Sequence, residues 1–405
     1  MANRGQHRGG ISSIRLRTAR AALALVVVLV LGVVTIQSVQ AQTFKVLFNF
    51  TGSADGESPY GSLVRDTEGN LYGTTEAGGA SGAGTVFKVD KSGTHTVLYS
   101  FKGGSDGANP YVGVIRDAAG NLYGTTANGG ASGLGTVFKL TKTGKEKVLY
   151  SFAGGSDGCY PYGGLLRDAA GNLYGTTEVC GASGVGTVFK LTNTGKETVL
   201  HSFAGGSSDG EFPSFTSLLM DTSGNLYGVA EQGGTDNLGV VYKLSKSGKL
   251  KVLHSFAGGT SDGCDVFGTP FMDAEGNLYG TANACGSAHV GIVWKVSQKG
   301  KETVLHTFTA GSSDGAEPIA GVIMDANGNL YGDTYQGGSA NLGTVYKLNK
   351  NGTLTLLHTF TGSDGDYPYS GLVRDATGNL YGTTLHGGSG QQCQNGCGTV
   401  WKLKP

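Results

Sequence analysis

Residues 117–126 of this 405-residue chain have the sequence Asp-Ala-Ala-Gly-Asn-Leu-Tyr-Gly-Thr-Thr, and the pentapeptide Gly-Asn-Leu-Tyr-Gly inside this stretch occurs seven times. Its asparagines recur every 50–53 residues, at Asn70, Asn121, Asn172, Asn225, Asn277, Asn329 and Asn379. A regular period in this range is the sequence signature of tandem structural repeats. The chain is therefore predicted to contain seven copies of one structural unit.

One repeat, residues 111–152, contains four short segments rich in β-branched and aromatic residues, each bounded by Gly, Asn, Asp or Ser. This pattern predicts four β-strands, a to d, at Val112–Asp117, Asn121–Thr126, Gly135–Leu140 and Lys147–Phe152. Short turns that contain glycine join a to b and c to d, as in β-hairpins. Because the chain reverses at every strand, the longer b–c and d–a loops are expected on one face of the unit.

A four-stranded sheet has two apolar faces, so each repeat is expected to bury them against its neighbours. Radial stacking of seven such sheets predicts an all-β fold, a seven-bladed β-propeller of four-stranded antiparallel blades. The seventh repeat stops after its third strand, Gly398–Leu403, whereas residues 43–50 match the fourth strands of other repeats. We therefore expect the N-terminal strand to complete blade seven, and residues 42–405 to form a single domain.

The first 41 residues have the features of a secretory signal peptide. Five arginines precede an apolar run, Ala21–Val34, and the segment ends in Val39-Gln40-Ala41, which fits a basic start, a short apolar core and a small-residue cleavage site. We expect cleavage before Gln42 and export to the periplasm or the cell exterior. The apolar run is too short for a spanning helix, so no membrane span is expected in the mature chain.

Charge argues against a nucleic-acid partner. The leader holds five of the 30 basic residues and none of the 30 acidic ones, so 25 basic and 30 acidic residues remain, a net charge of −5. Nucleic-acid binding requires clustered Lys and Arg, and the mature chain has no basic run. We expect a monomer without a nucleic-acid partner or a bound cofactor.

The repeat also resembles a known family. Asp-x-x-Gly-Asn-Leu-Tyr-Gly-Thr-Thr, followed by Gly-Thr-Val-Phe-Lys-Leu and Val-Leu-Tyr-Ser-Phe, is similar to the bacterial GloVer repeat of the choice-of-anchor tandem repeat proteins, and more distantly to NHL-type propeller blades. The resemblance covers residues 43 to 403. It implies a secreted or surface repeat protein of unassigned biochemistry.

The cysteines occupy equivalent positions in two repeats. Cys159 and Cys180 lie 13 residues before and 8 after Asn172, and Cys264 and Cys285 stand at the same offsets from Asn277. The members of each pair belong to a d–a and a b–c loop, which share a face, and export supplies an oxidising compartment. Disulfides are therefore predicted for Cys159–Cys180, Cys264–Cys285 and, within an enlarged b–c loop, Cys393–Cys397. Metal binding is the weaker alternative because no His shares this spacing.

Every d–a loop also contains an Asp-Gly pair. Loop carboxylates of this kind could hold calcium, although the side chain of Asp in Asp-Gly equally well forms a turn, which is the interpretation we favour. The calcium candidates are Asp55, Asp106, Asp157, Asp209, Asp262, Asp314 and Asp364.

Ten residues before each repeat asparagine lies an aromatic or apolar side chain, which is expected to begin strand a and to form a ring near the channel mouth. Such a ring could stack on sugars beside nearby carboxylates, or it could pack between blades. The ring residues are Tyr60, Tyr111, Tyr162, Phe215, Phe267, Ile319 and Tyr369, and the six aromatic ones are the candidate ligand-binding set.

Catalytic motifs are weak. His201, His254, His306 and His358 occupy one position of strand d in successive blades, so they are expected around the outer rim rather than together, and no catalytic residue is assigned. The favoured interpretation is a secreted, non-catalytic binding or scaffold module for glycan or protein ligands on the loop face. The alternatives are a propeller lyase or glycoside-processing enzyme that uses d–a loop carboxylates, and a purely structural surface protein.

Overall fold

The computed structural model describes Met1 and residues 42–405, so the predicted leader lies, apart from Met1, outside the described residues. Residues Gln42–Pro405 form one compact unit. Seven four-stranded antiparallel sheets follow one another along this unit, which confirms the predicted seven-bladed β-propeller. No helix in the described part of the chain is long and apolar enough to cross a membrane.

The four strands of each blade are named a to d from the inside outwards. The a strands are Val64–Arg65, Ile115–Arg116, Leu166–Arg167, Leu219–Met220, Phe271–Met272, Ile323–Met324 and Val373–Arg374. The b strands are Leu71–Thr75, Leu122–Thr126, Leu173–Thr177, Leu226–Ala230, Leu278–Ala282, Leu330–Thr334 and Leu380–Thr384. The c strands are Thr85–Val89, Thr136–Leu140, Thr187–Leu191, Val240–Leu244, Ile292–Val296, Thr344–Leu348 and Thr399–Lys404. The d strands are His95–Ser100, Glu146–Ser151, Glu197–Ser202, Leu250–Ser255, Glu302–Thr307, Leu354–Thr359 and, for blade seven, Thr43–Asn49.

Smaller elements lie in the loops. Two 3₁₀ turns, Gly104–Asp106 and Gly155–Asp157, occupy d–a loops. In blades four to six, short two-stranded ladders join the d–a loop to the b–c loop. The pairs are Gly210–Glu211 with Gln232–Gly233, Gly263–Cys264 with Ala284–Cys285, and Gly315–Ala316 with Gln336–Gly337.

Strand a is much shorter than its sequence pattern predicts. In blade two it spans Ile115–Arg116 rather than Val112–Asp117, because the preceding segment leaves strand b and packs against the equivalent segment of the neighbouring blade. A Cβ atom on Gly113 would collide with the Ser62 carbonyl oxygen. The close approach of these backbones therefore requires glycine and ends the pairing within the blade.

The a–b hairpin explains the repeated Asp-x-x-Gly-Asn-Leu-Tyr sequence. Asp117 accepts hydrogen bonds from the backbone and side-chain amides of Asn121 at 2.8 and 2.9 Å and from the Tyr123 hydroxyl at 3.0 Å. The ring of Tyr123 is buried and lies between the cationic groups of Lys139 and Arg167, at 5.4 and 5.7 Å from its centroid. One tyrosine thus closes its own hairpin and contacts the next blade.

Blades adhere through fully buried phenylalanines that follow strand d. Each of these rings packs at a steep angle against the aromatic residue of strand c in the next blade, with centroid separations of 5.1–5.9 Å. Such edge-to-face pairs add directional stabilisation to a large buried area. The seven residues are Phe50, Phe101, Phe152, Phe203, Phe256, Phe308 and Phe360.

The N-terminal strand closes the ring as predicted. Thr43–Asn49 pairs antiparallel with Thr399–Lys404 and supplies strand d of blade seven. Phe50 then packs on Phe87 of blade one at 5.1 Å. The exposed strand edges of an open array, which promote aggregation, are thereby removed.

Three disulfide bonds have the pairing expected from the sequence. Cys159–Cys180 and Cys264–Cys285 link a d–a loop to a b–c loop, with Cα separations of 5.5 and 5.4 Å, and Cys393–Cys397 links two positions of the enlarged b–c loop at 5.3 Å. No cysteine in the described residues is free.

Asp333 interrupts the pattern of strand b. Five blades have threonine at this position, and its hydroxyl donates to a carbonyl oxygen of the next blade, as Thr281 does to Ala320 at 2.8 Å. Asp333 is 1% exposed, and its Oδ2 has no hydrogen-bond partner among the described residues. Burial raises the pKa of this carboxyl well above its ordinary value.

We predict that Phe50→Ala and Phe152→Ala lower the free energy of unfolding by a similar amount, about 3–5 kcal/mol each, because both rings are fully buried at equivalent blade junctions. Urea denaturation of the two variants measures this. A nearly neutral Phe50→Ala beside a destabilising Phe152→Ala would contradict closure by the N-terminal strand.

We predict that Asp333→Thr stabilises the protein by about 1–3 kcal/mol at pH 8, since it replaces an unpartnered buried carboxyl with the residue that other blades use. The folded-state pKa is raised, so wild-type stability falls as pH rises above the pKa of the unfolded chain towards that of the folded one. The gain from Asp333→Thr should therefore be larger at pH 8 than at pH 4 in urea denaturation.

The reverse substitution, Thr281→Asp, serves as the matched control and should destabilise the protein with the same pH dependence. Equal stability of wild type and Asp333→Thr at both pH values would disprove the interpretation.

Candidate functional site

The predicted aromatic ring lies at the channel mouth on the face that carries the b–c and d–a loops. Neighbouring rings are in contact: Tyr111 lies 5.2 Å from Tyr60 and 4.9 Å from Tyr162 between ring centroids. Contacts also cross the channel axis, since Phe215 is 5.8 Å from Tyr369. The aromatic side chains therefore fill the mouth, and each remains half-buried, with part of its surface accessible.

These residues precede strand a rather than begin it. Tyr111, for example, is four positions ahead of Ile115–Arg116. The ring centroid of Phe267 lies 6.4 Å from that of Phe215. Ile319 lines the channel together with Tyr60 and Tyr369. The channel itself is an apolar cavity of about 450 Å³ lined by residues of strand a and the segments before it, such as Val64 and Val373.

A strained backbone residue supports each mouth side chain. Two or three positions before the aromatic or apolar residue, every blade has a non-glycine residue with φ of 53–57°, a conformation that costs about 1–2 kcal/mol. Its carbonyl oxygen accepts the amide of the residue that follows strand b, as Ser58 does from Glu76 at 3.1 Å. The strained residues are Ser58, Asn109, Tyr160, Phe212, Asp265, Glu317 and Tyr367.

Three glutamates stand beside the aromatic ring, and the sequence analysis did not identify them. Glu76, Glu178 and Glu231 each follow strand b by one residue, six positions after the repeat asparagine. The Tyr111 hydroxyl donates to Glu76 Oε1 at 2.6 Å, and the Ser214 hydroxyl donates to Glu178 Oε1 at 3.1 Å. The available signal was that three of the seven blades have glutamate at this position.

Burial changes the acidity of these carboxyls. It raises the pKa of Glu76, partly offset by the hydrogen bond from Tyr111, and it raises the pKa of Glu178. The pKa of Glu231 is also raised, by burial and then by the negative charges of Asp265 and Glu178. We call the six aromatic residues and these three glutamates the mouth cluster: Tyr60, Tyr111, Tyr162, Phe215, Phe267, Tyr369, Glu76, Glu178 and Glu231.

The loop face around the mouth cluster is acidic. In the described chain, the segments between strands d and a and between strands b and c contain Lys102 as their sole lysine or arginine. The acidic residues of the same segments are Asp55, Glu57, Glu76, Asp106, Asp157, Glu178, Asp209, Glu211, Glu231, Asp236, Asp262, Asp265, Asp314, Glu317, Asp364 and Asp366. The face therefore favours neutral or cationic ligands over anionic ones.

The aspartates of the Asp-Gly pairs are placed at the outer rim and not around the mouth. Each accepts a hydrogen bond from a backbone amide three to five residues earlier, as Asp106 does from Lys102 at 2.8 Å. Asp106 also accepts from the Tyr99 hydroxyl of strand d at 2.6 Å. These are the contacts of a turn residue. The Asp-Gly aspartates therefore do not line the channel mouth.

The rim histidines do not meet one another, as expected, but each lies beside an Asp-Gly aspartate. His201, His306 and His358 contact Asp209, Asp314 and Asp364 through Nε2 at 3.0, 3.2 and 2.9 Å. The separation between His254 Nε2 and the Asp262 carboxylate is 3.3 Å. The sequence did not predict these pairs, because they form only where the d–a loop folds back onto strand d.

Solved structures with a similar fold have little sequence identity to this chain. The extracellular domain of a protein described as a hybrid two component system from B. thetaiotaomicron matches with a TM-score of 0.55 at 12% identity, covering 89% of this chain and 39% of that chain. A protein described as a 6-phosphogluconolactonase from Bacteroides uniformis matches with a TM-score of 0.50 at 18% identity, covering 73% and 83%. At these identities the likeness shows the fold alone.

No curated protein matches the sequence significantly. The family model of the Gloeobacter/Verrucomicrobia repeat, by contrast, matches residues 31–219, 104–294 and 215–405, which together span all seven blades. This agrees with the resemblance carried by the repeated Gly-Asn-Leu-Tyr-Gly sequence. The chain belongs to the Gloeobacter/Verrucomicrobia repeat family.

Proposed function

We propose that this protein is an exported, non-catalytic binding module that holds a glycan at the mouth cluster. The observation that carries the proposal is the contiguous set of half-buried aromatic rings at the channel mouth, with the Tyr111 hydroxyl donating to Glu76 at 2.6 Å. Tyrosine rings stack on the apolar faces of sugars, and adjacent carboxylates accept hydrogen bonds from sugar hydroxyls.

The charge of the loop face supports a neutral glycan over an anionic one. Lys102 is the one basic residue among the described b–c and d–a loops, so a sulfated or uronic acid polymer would meet repulsion from the surrounding carboxylates. The raised pKa values of Glu76 and Glu178 further favour a partner that hydrogen-bonds over one that requires full negative charge.

Two features of the chain support export. The first 41 residues have the pattern of a signal peptide, and the described chain contains three disulfide bonds and no free cysteine. Disulfides persist in oxidising compartments outside the cytosol. The site would therefore face the glycans of the periplasm or the cell exterior.

Binding to a broad array of neutral and acidic glycans tests the proposal. Wild-type protein should bind a defined set of neutral glycans, and Tyr111→Ala and Tyr162→Ala should each weaken binding by about two- to tenfold, because an aromatic contact contributes about 0.5–1.5 kcal/mol. Tyr111→Phe keeps the ring but removes the hydroxyl that donates to Glu76, so its loss should be smaller.

Tyr150→Ala is the matched control, because it removes a half-buried tyrosine of the outer rim whose hydroxyl also donates to a carboxylate, Asp157. It should bind as wild type does. Wild-type protein that binds no glycan, or mouth variants that bind as Tyr150→Ala does, would exclude the mouth cluster as a glycan site.

A further inference from the structure

Three metal-binding side chains meet at the rim between blades four and five, away from the mouth cluster. His254 belongs to strand d of blade four, Asp262 to the following d–a loop, and Glu302 is the first residue of strand d of blade five. One ligand atom from each of the three side chains lies within 4.8 Å of those of the other two.

The hydrogen bonding of this group is incomplete. Asp262 accepts backbone amides from Ala257 at 2.9 Å and Gly263 at 2.7 Å. In contrast, His254 Nε2 and Glu302 Oε1 are buried atoms without a hydrogen-bond partner among the described residues. A buried polar atom without a hydrogen-bond partner destabilises the folded state. A shared cation would satisfy both atoms and neutralise the adjacent carboxylates.

The chain contains its own comparison at the junction of blades three and four. His201 and Asp209 occupy the equivalent positions, but Leu250 stands where blade five has Glu302. There, His201 Nε2 contacts both carboxylate oxygens of Asp209, at 3.0 and 3.1 Å. Without the glutamate, this histidine and aspartate hydrogen-bond each other, whereas the separation between His254 Nε2 and the Asp262 carboxylate is 3.3 Å.

The junction of blades one and two provides the complementary comparison. Glu146 occupies the glutamate position beside Asp106, but tyrosine replaces the histidine, and the Tyr99 hydroxyl donates to Asp106 at 2.6 Å. An all-oxygen set of this kind lacks an imidazole ligand. Among the junctions that the structure describes, the one between blades four and five alone combines histidine, aspartate and glutamate.

The loop that carries Asp262 is held in place. Two links begin directly after Asp262. One is the ladder between Gly263–Cys264 and Ala284–Cys285, and the other is the disulfide Cys264–Cys285. The Asp262 carbonyl oxygen also accepts the amide of Gly286 at 3.0 Å. A ligand fixed by its surroundings costs less to order when a metal binds.

We propose that His254, Asp262 and Glu302 form a binding site for a divalent transition metal ion such as Zn²⁺. One imidazole and two carboxylates suit such an ion, whereas calcium prefers oxygen ligands alone. Ligand atoms lie about 2.0–2.2 Å from zinc, so the three side chains close slightly around the ion. The side chains of His254 and Asp262 are 16% and 13% exposed, which leaves room for a water molecule as a fourth ligand.

Zn²⁺ titration by isothermal calorimetry, on purified protein freed of metal with EDTA, tests the site. Wild-type protein should bind one equivalent, and Glu302→Leu should bind none. Glu302→Leu should fold, because Leu250 and Leu354 occupy the same position in other blades, and circular dichroism checks this. Wild-type protein without bound Zn²⁺, or Glu302→Leu with an unchanged equivalent, would overturn the proposal.

Two further variants separate this site from general surface binding. Glu146→Leu removes the equivalent glutamate at a junction without histidine, so it should retain one equivalent. Leu250→Glu places a glutamate beside His201 and Asp209 and should raise the stoichiometry to two. Loss of Zn²⁺ in Glu146→Leu would contradict the assignment. The substituted residues, Glu302, Glu146 and Leu250, lie outside the mouth cluster. The result is therefore independent of glycan binding.

Discussion

The structure depends on the contact between the phenylalanine that follows strand d and the aromatic residue of strand c in the next blade. A four-stranded blade cannot bury both apolar faces alone, and this contact joins each blade to its neighbour with ring centroids 5.1–5.9 Å apart. Seven blades require seven such phenylalanines. Residues 43–50 supply the fourth strand of the last blade and also Phe50. The ring therefore closes by pairing the N-terminal strand with the C-terminal strand.

Ring closure gives the two edges of each blade different roles. At the inner edge, segments with small residues approach so closely that Gly113 cannot carry a Cβ atom, and a non-glycine residue with positive φ aims a side chain at the mouth in every blade. The surrounding blades stabilise this strained backbone. Strained residues of this kind are common at ligand sites. At the outer edge, the Asp-Gly aspartates accept hydrogen bonds from turn amides, and in six of the seven blades a tyrosine or histidine of strand d lies beside them.

The chemistry of the protein is concentrated where one blade departs from the others. Positions shared by all blades, such as Asp117, Asn121 and Tyr123 with their equivalents, build hairpins and junctions. Glu76 and its counterparts, which vary among blades, stand beside the aromatic ring, and Glu302, where blades four and six have Leu, lies beside the pair formed by His254 and Asp262. Asp333, which replaces threonine, introduces a buried titratable group. A repeat architecture makes such departures visible because the remaining blades serve as the reference.

The sequence by itself determined the seven repeats, the order of four strands in each, the closing role of residues 43–50 and the cysteine pairs, because these follow from local alternation, turn residues and equal spacing along the chain. It predicted the aromatic group but extended strand a by several residues. Only the tertiary structure decided that the Asp-Gly aspartates lie at the rim, that Tyr111 donates to Glu76, 35 positions away, and that His254 meets Glu302 of the next blade. These contacts depend on the twist of each blade and on packing between blades, which no local pattern specifies.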